Sequence, residues 1–93
     1  MPILLEKSQI DERLSQLEGW ARQGQAAIEK SYVFADFKAA MRFVNQVAEA
    51  AEKVDHHPDI LINYNKVKLT LSTHSEGGLT HKDFDLARDV DFI

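Results

Sequence analysis

The sequence predicts an α+β fold, a four-stranded antiparallel sheet with helices packed on one face. The observations behind it are an apolar stripe at helical spacing in the middle of the chain, paired alternating segments on either side, and helical patterns at both ends. The resulting order is helix, two strands, helix, two strands, helix, which favours a sandwich of helices on a sheet.

Ser8, followed three residues later by Asp11, reads as the start of the first helix, because a side-chain oxygen there caps orphan backbone amides. Ile10, Leu14 and Leu17 recur at helical spacing, and Gly19 is a suitable stop. Trp20 opens a short strand, Gly24 marks a turn, and Ile28 to Phe34 forms the returning strand. Ile28, Lys30, Tyr32 and Phe34 share one face of it, and Glu29, Ser31 and Val33 the other. Asp36 caps the long central helix, whose predicted apolar stripe is Phe37, Ala40, Met41, Val44, Val47, Ala48 and Ala51. Pro58 requires that helix to have ended, since proline disfavours helical geometry at His57.

Ile60-Leu61-Ile62 reads as a strand, and Tyr64-Asn65-Lys66 as a turn. The next strand alternates Val67, Leu69, Leu71 and Thr73 against Lys68, Thr70, Ser72 and His74. Gly77-Gly78 breaks it. Thr80 then caps a last helix, with Asp83 completing a capping box and Leu79 and Phe84 placed as a hydrophobic staple. Phe84, Ala87, Val90 and Ile93 give that helix its inward face.

A chain of 93 residues reads as one domain over 1–93, without repeats, low-complexity segments or linkers. A domain this small buries only about 60–65% of its unfolded surface, so association with another copy would help to stabilise it. The content of 44% hydrophobic and 28% charged residues is that of a soluble globular domain. A formal charge of -4 and the lack of any basic block argue against direct nucleic-acid contact. Zero cysteines exclude a disulfide framework and a thiolate metal site. No apolar run approaches the roughly 18–20 residues that span a bilayer. The start Met1 to Lys7 is too short and too quickly charged for a signal peptide, so a cytoplasmic location is the default expectation.

The chemistry concentrates in Glu52-Lys53-Val54-Asp55-His56-His57-Pro58 and in His74, which together hold three of the four histidines. Imidazole is the side chain that gives or takes a proton near neutrality. If the long helix runs to about Asp55, Glu52 and His56 share a face, and the carboxylate can fix the ring's tautomer. His57 must then point elsewhere, so the pair presents imidazoles with different bearings at one helix end.

Each of these features also has a plainer reading. His-His-Pro can be a solvated helix cap, His74 a surface residue at a strand end, and Asp83 a capping residue alone. Met41, Phe37 and Phe43 read as core. A zinc site from His56, His57 and His74 fits poorly, because neighbouring histidines splay apart and the spacing matches no usual helical pair. If the histidines only cap elements they should lie far apart in the fold; a shared site requires all three within one substrate's width.

In these residues the chain resembles the pterin-4a-carbinolamine dehydratases, also known as dimerisation cofactors of a homeodomain transcription factor. The signature of that family is an acidic residue, three intervening positions and His-His-Pro, then an aromatic residue, a histidine and an aspartate. Here these are Glu52, His56-His57-Pro58, Tyr64, His74 and Asp83. The likeness extends from Gly19-Trp20 through Gly78-Leu79-Thr80, whereas the first eighteen residues match only in general character.

The resemblance implies dehydration of 4a-hydroxytetrahydropterin to quinonoid dihydropterin, which recycles the pterin of aromatic amino acid hydroxylases, with no metal or organic cofactor. It implies His56 and His74 as proton donors to the departing hydroxyl and His57 as the residue that holds the ring and takes the proton. Glu52 and Asp83 would orient imidazoles, and Asp55, Ser72, Thr73, His74 and Ser75 would line the substrate site, with Trp20 as a wall. It further implies a homo-oligomer, dimer or tetramer, an aromatic amino acid hydroxylase as candidate partner, and no membrane. Two other roles stand beside the enzyme: a transcriptional dimerisation module, and a non-catalytic assembly factor. Retention of His56, His57 and His74 speaks against the second.

Overall fold

In the computed structural model, which describes residues 3–93, the elements follow the predicted order. They are α1 (Lys7–Ser15), β1 (Ala21–Gln23), β2 (Ala27–Val33), α2 (Phe37–Val54), β3 (Asp59–Asn63), β4 (Lys66–Leu71) and α3 (His81–Asp91). Of the predicted N-terminal stretch, Met1 and Pro2 lie outside the described residues.

Every strand pair is antiparallel, and the sheet order is β1-β2-β4-β3. Register puts Ile28 opposite Leu71, Lys30 opposite Leu69, and Tyr32 opposite Val67, all on the face where β4 is buried. Ile60 joins that face opposite Leu69. On the other face Ser31, Val33 and Leu61 are exposed. Buried side chains of all three helices belong to the same core cluster as Ile28, Val67, Leu69 and Leu71, so the helices cover that one face.

The long helix is capped as predicted: Asp36 accepts a hydrogen bond from the Ala39 amide at 2.8 Å. Its buried line, however, is Ala40, Phe43, Val47 and Ala51, with Phe43 stacked obliquely against Tyr32 and Phe34 at 4.6 and 5.0 Å. Phe37 and Ala48 of the predicted stripe are exposed, and Met41 and Val44 are half-buried. The helix carries more apolar surface than the sheet face can cover, so one flank of the stripe stays open.

Three ends differ from expectation. The first helix is entered at Glu6, whose amide donates to Gln9 Oε1 at 2.8 Å; this capping box sits ahead of Ser8, which falls inside the first turn. The same helix ends at Ser15, ahead of Gly19, which has φ +84° in the following loop. In the last helix Leu86 joins Phe84, Ala87 and Val90 in the core, and Ile93 is exposed beyond its end. Burial of a Phe, Leu or Val side chain contributes roughly 1.5–3 kcal/mol. A capping residue contributes about 1 kcal/mol. The apolar face therefore anchors α3, and the Thr80 cap sets where it starts.

Candidate active site

The histidine pair owes its placement to the way α2 ends. Asp55 adopts the left-handed conformation (φ 52°, ψ 46°), and its amide turns back onto Glu52 O while the His56 amide reaches Ala51 O at 3.1 Å. This is a Schellman closure, with an aspartate in the position that usually favours glycine. It takes His56 off the helix surface, so the predicted pairing of Glu52 with His56 does not form. Glu52 Oε2 instead meets His57 Nε2 at 2.6 Å, and His56 Nε2 meets Asp83 Oδ1 at 2.7 Å. The expectation that the adjacent rings take different bearings holds.

The two ring–carboxylate pairs sit in unlike surroundings. The side chains of His56 and Asp83 are 9% and 0% exposed; those of His57 and Glu52 are 56% and 76% exposed. A carboxylate only accepts, so in both histidines Nε2 carries the proton and Nδ1 is the nitrogen left for exchange.

Asp83 is fully engaged. Its Oδ2 accepts the Thr80 amide at 2.9 Å and the Thr73 hydroxyl at 2.8 Å, while Oδ1 takes the His56 ring. The predicted capping box is thus present, and the same carboxylate serves the imidazole. Among the described residues no buried side-chain polar atom lacks a partner.

After Leu71 the chain leaves the sheet, and Thr73 bridges to Gly78 across a single 3₁₀ turn, His74–Glu76. His74 therefore opens a turn and does not end a strand, because Gly77 (φ +74°) reverses the chain immediately after. The turn brings His74 and Ser75 to the mouth of a cavity of about 240 Å³. Its lining comes from the end of α2 (Asp55, His56 and His57) and from the segment after β4 (Ser72, Thr73, His74 and Ser75).

All three signature imidazoles border one cavity. Glu52 and Asp83 stand behind it, each holding a ring that lines it. Trp20 is not part of this cavity. Its indole Nε1 donates to Asp91 Oδ2 at 3.0 Å, and Asp91 lies eight residues beyond Asp83, about 12 Å further along α3. Asp91 also receives Lys30 Nζ and the Tyr32 hydroxyl, each at 3.0 Å, so Trp20 belongs to a network tying α3 to β2.

Lys82 is the lining residue that the sequence did not reveal. It follows the α3 cap by two positions, and only the fold turns that end of α3 toward the imidazoles. Among the described residues its ammonium has no ion-pair partner, so it is a free donor at the rim. Among the same residues no group of three or more histidine and carboxylate side chains is arranged to hold a metal ion, and no helix is long and apolar enough to cross a membrane.

The chain is similar to known proteins over nearly its whole length. A structure from Brucella melitensis, described as a transcriptional coactivator/pterin dehydratase, matches with a TM-score of 0.93 and 43% identity over 97% of both chains. A pterin dehydratase-like protein described as a RuBisCO assembly factor of the alpha-carboxysome has a TM-score of 0.68 at 23% identity over 81% of this chain and 88% of its own, a likeness of fold alone. A protein of Acidobacterium capsulatum, assigned by name to the pterin-4-alpha-carbinolamine dehydratases, is 55% identical over 90% of both chains. One of Roseiflexus castenholzii with the same assignment is 52% identical over 100% of this chain and 99% of its own. With the family model for pterin 4 alpha carbinolamine dehydratase matching residues 3–93, the chain belongs to that family.

Proposed function

We propose that the cavity dehydrates 4a-hydroxytetrahydropterin to quinonoid dihydropterin by general acid–base catalysis. The observation that carries this reading is the placement of three imidazoles around one cavity, two of them oriented by carboxylates at 2.6 and 2.7 Å. The C4a–O bond breaks, the departing oxygen takes a proton and leaves as water, and the N5 lone pair closes the N5=C4a double bond. The N5 proton passes to a base. An acid and a base on opposite sides of a flat heterocycle suffice, and help of this kind is typically worth about 10²–10⁴-fold.

His56 and His74 protonate the leaving hydroxyl, one on each face of the ring, and His57 holds the heterocycle and takes the N5 proton. Asp83 and Glu52 keep Nε2 of their histidines occupied, which leaves Nδ1 as the nitrogen that exchanges protons. Asp55, the serines and Lys82 give the cavity acceptors and donors for the polar edges of the pterin. An aromatic amino acid hydroxylase supplies the substrate. Self-association belongs to the same reading: β3 is an open sheet edge, and Leu61 on it is exposed.

The test is the absorbance decay of freshly generated 4a-hydroxytetrahydropterin with wild-type protein and with His74→Ala. Acceleration that collapses in the variant is expected. A decay no faster than buffer, from folded wild type, moves the assignment to a binding role.

A further inference from the structure

We propose that Thr73 is a positioning residue for this reaction, tying the His56 support, through its side chain, to the His74 turn, through its backbone. The proposal rests on the dehydratase reading of the cavity.

Thr73 is 4% exposed, and its hydroxyl has two close partners, Asp83 Oδ2 and Thr80 Oγ1, both at 2.8 Å. A hydroxyl has one hydrogen. Asp83 can only accept it, so Thr73 donates there and Thr80 must donate to Thr73. Thr80 Oγ1 in turn accepts the Lys82 amide at 3.3 Å. The donors run in one direction, from the first turn of α3 through both threonines to the carboxylate that holds His56 at 2.7 Å. Such a chain polarises along its length, and in a buried setting each link strengthens the next.

The main chain of Thr73 has a second duty. Its amide donates to Gly78 O at 2.9 Å, and its carbonyl receives the Glu76 amide at 3.0 Å. These bonds close the turn that begins at His74. One residue therefore holds the His74 turn through its backbone and the His56–Asp83 pair through its side chain. The two imidazoles come from segments far apart in sequence, and Thr73 is where their supports meet.

Thr73→Val keeps the β-branched shape and removes only the hydroxyl; Thr73→Ser restores it. Misplacement of a reacting group by an ångström or less costs up to about 100-fold in rate. The expected result for Thr73→Val is a kcat lower by roughly 10–100-fold per folded molecule with KM within about twofold, and recovery of most of the rate in Thr73→Ser. The His56 Nε2 proton resonance, read by NMR without substrate, should shift or broaden in Thr73→Val and return in Thr73→Ser. A hydroxyl that merely helps to cap α3 would lower the melting temperature and leave both kcat and that resonance in place, which overturns the proposal. A slower enzyme with an unmoved resonance also overturns it, because the route through Asp83 is then wrong. If wild type fails to accelerate dehydration, the dehydratase reading falls, and the resonance alone decides whether Thr73 orients His56. Should Thr73→Val not fold, Thr73→Cys places a weak donor in the same volume and is read by the same two measurements, with an intermediate loss expected.

Discussion

His56 Nε2 lies 2.7 Å from Asp83 Oδ1 across 27 residues of sequence, with both side chains almost wholly buried. The neighbouring His57 makes a pair of the same kind with Glu52, only five residues away and in the open. Burial separates what these pairs contribute. Asp83→Asn should cost about 1–3 kcal/mol in urea unfolding, because a carboxylate with three donors becomes an amide. It should also lower kcat by roughly 10–100-fold through the freed His56 ring. Glu52→Gln should change stability by less than about 1 kcal/mol. Any loss in that variant will appear in steady-state kinetics.

Asp55 holds a left-handed conformation that costs a residue with a side chain roughly 1–2 kcal/mol. Asp55→Gly removes that cost and adds about 0.5–1 kcal/mol of unfolded-state entropy, so the unfolding midpoint should barely move. Since Asp55 lines the cavity, the same variant should bind substrate more weakly, seen as a raised KM. Stability kept with affinity lost would mark Asp55 as a contact and not only a cap.

Lys82 combines a place on the cavity with a poor place on its helix, since a cation in the first turn of α3 opposes the helix dipole. Lys82→Met should leave the melting temperature unchanged or slightly higher. If the ammonium meets an electron-rich edge of the substrate, KM should rise roughly tenfold, the worth of one charge-assisted hydrogen bond. Parallel thermal melts and KM determinations decide it.

Tyr32 links pH to stability at the far end of α3. Burial first, then its hydrogen bond to Asp91 and the charge of that carboxylate, hold the phenol well above its usual value. The neutral form is favoured in the folded state, so its contribution is full below about pH 10, the unfolded phenol's range, and is lost as pH rises beyond it. Wild type should therefore lose stability above pH 10 more steeply than Tyr32→Phe. Denaturation midpoints from pH 8 to 11.5 would show the two curves converging.

The parts of the fold that local chemistry dictates were legible in advance. Asp36, the Thr80–Asp83 capping box and the alternation of Val67, Leu69 and Leu71 are written in neighbouring residues, and the structure has them. The site was legible in composition and not in wiring. Glu52 and His56 sit at helical spacing, but the left-handed Asp55 breaks that geometry, and the glycine that usually announces such a helix end is not there. Trp20 finds its partner 71 residues away, and Lys82 meets the imidazoles only because α3 packs where it does. Those facts belong to tertiary structure, which spacing along a chain does not encode.

Asp83 starts a helix and steadies an imidazole with the same two oxygens. Its persistence in a lineage is therefore no sign of chemistry by itself, because a descendant that had given up turnover would still lose stability without it. Glu52 is the better witness: its hydrogen bond goes to an exposed ring, and folding alone gives little reason to keep it. Drift away from catalysis should thus erase Glu52, His57 and His74 first and leave Asp83 behind, like a hinge on a wall whose door is gone.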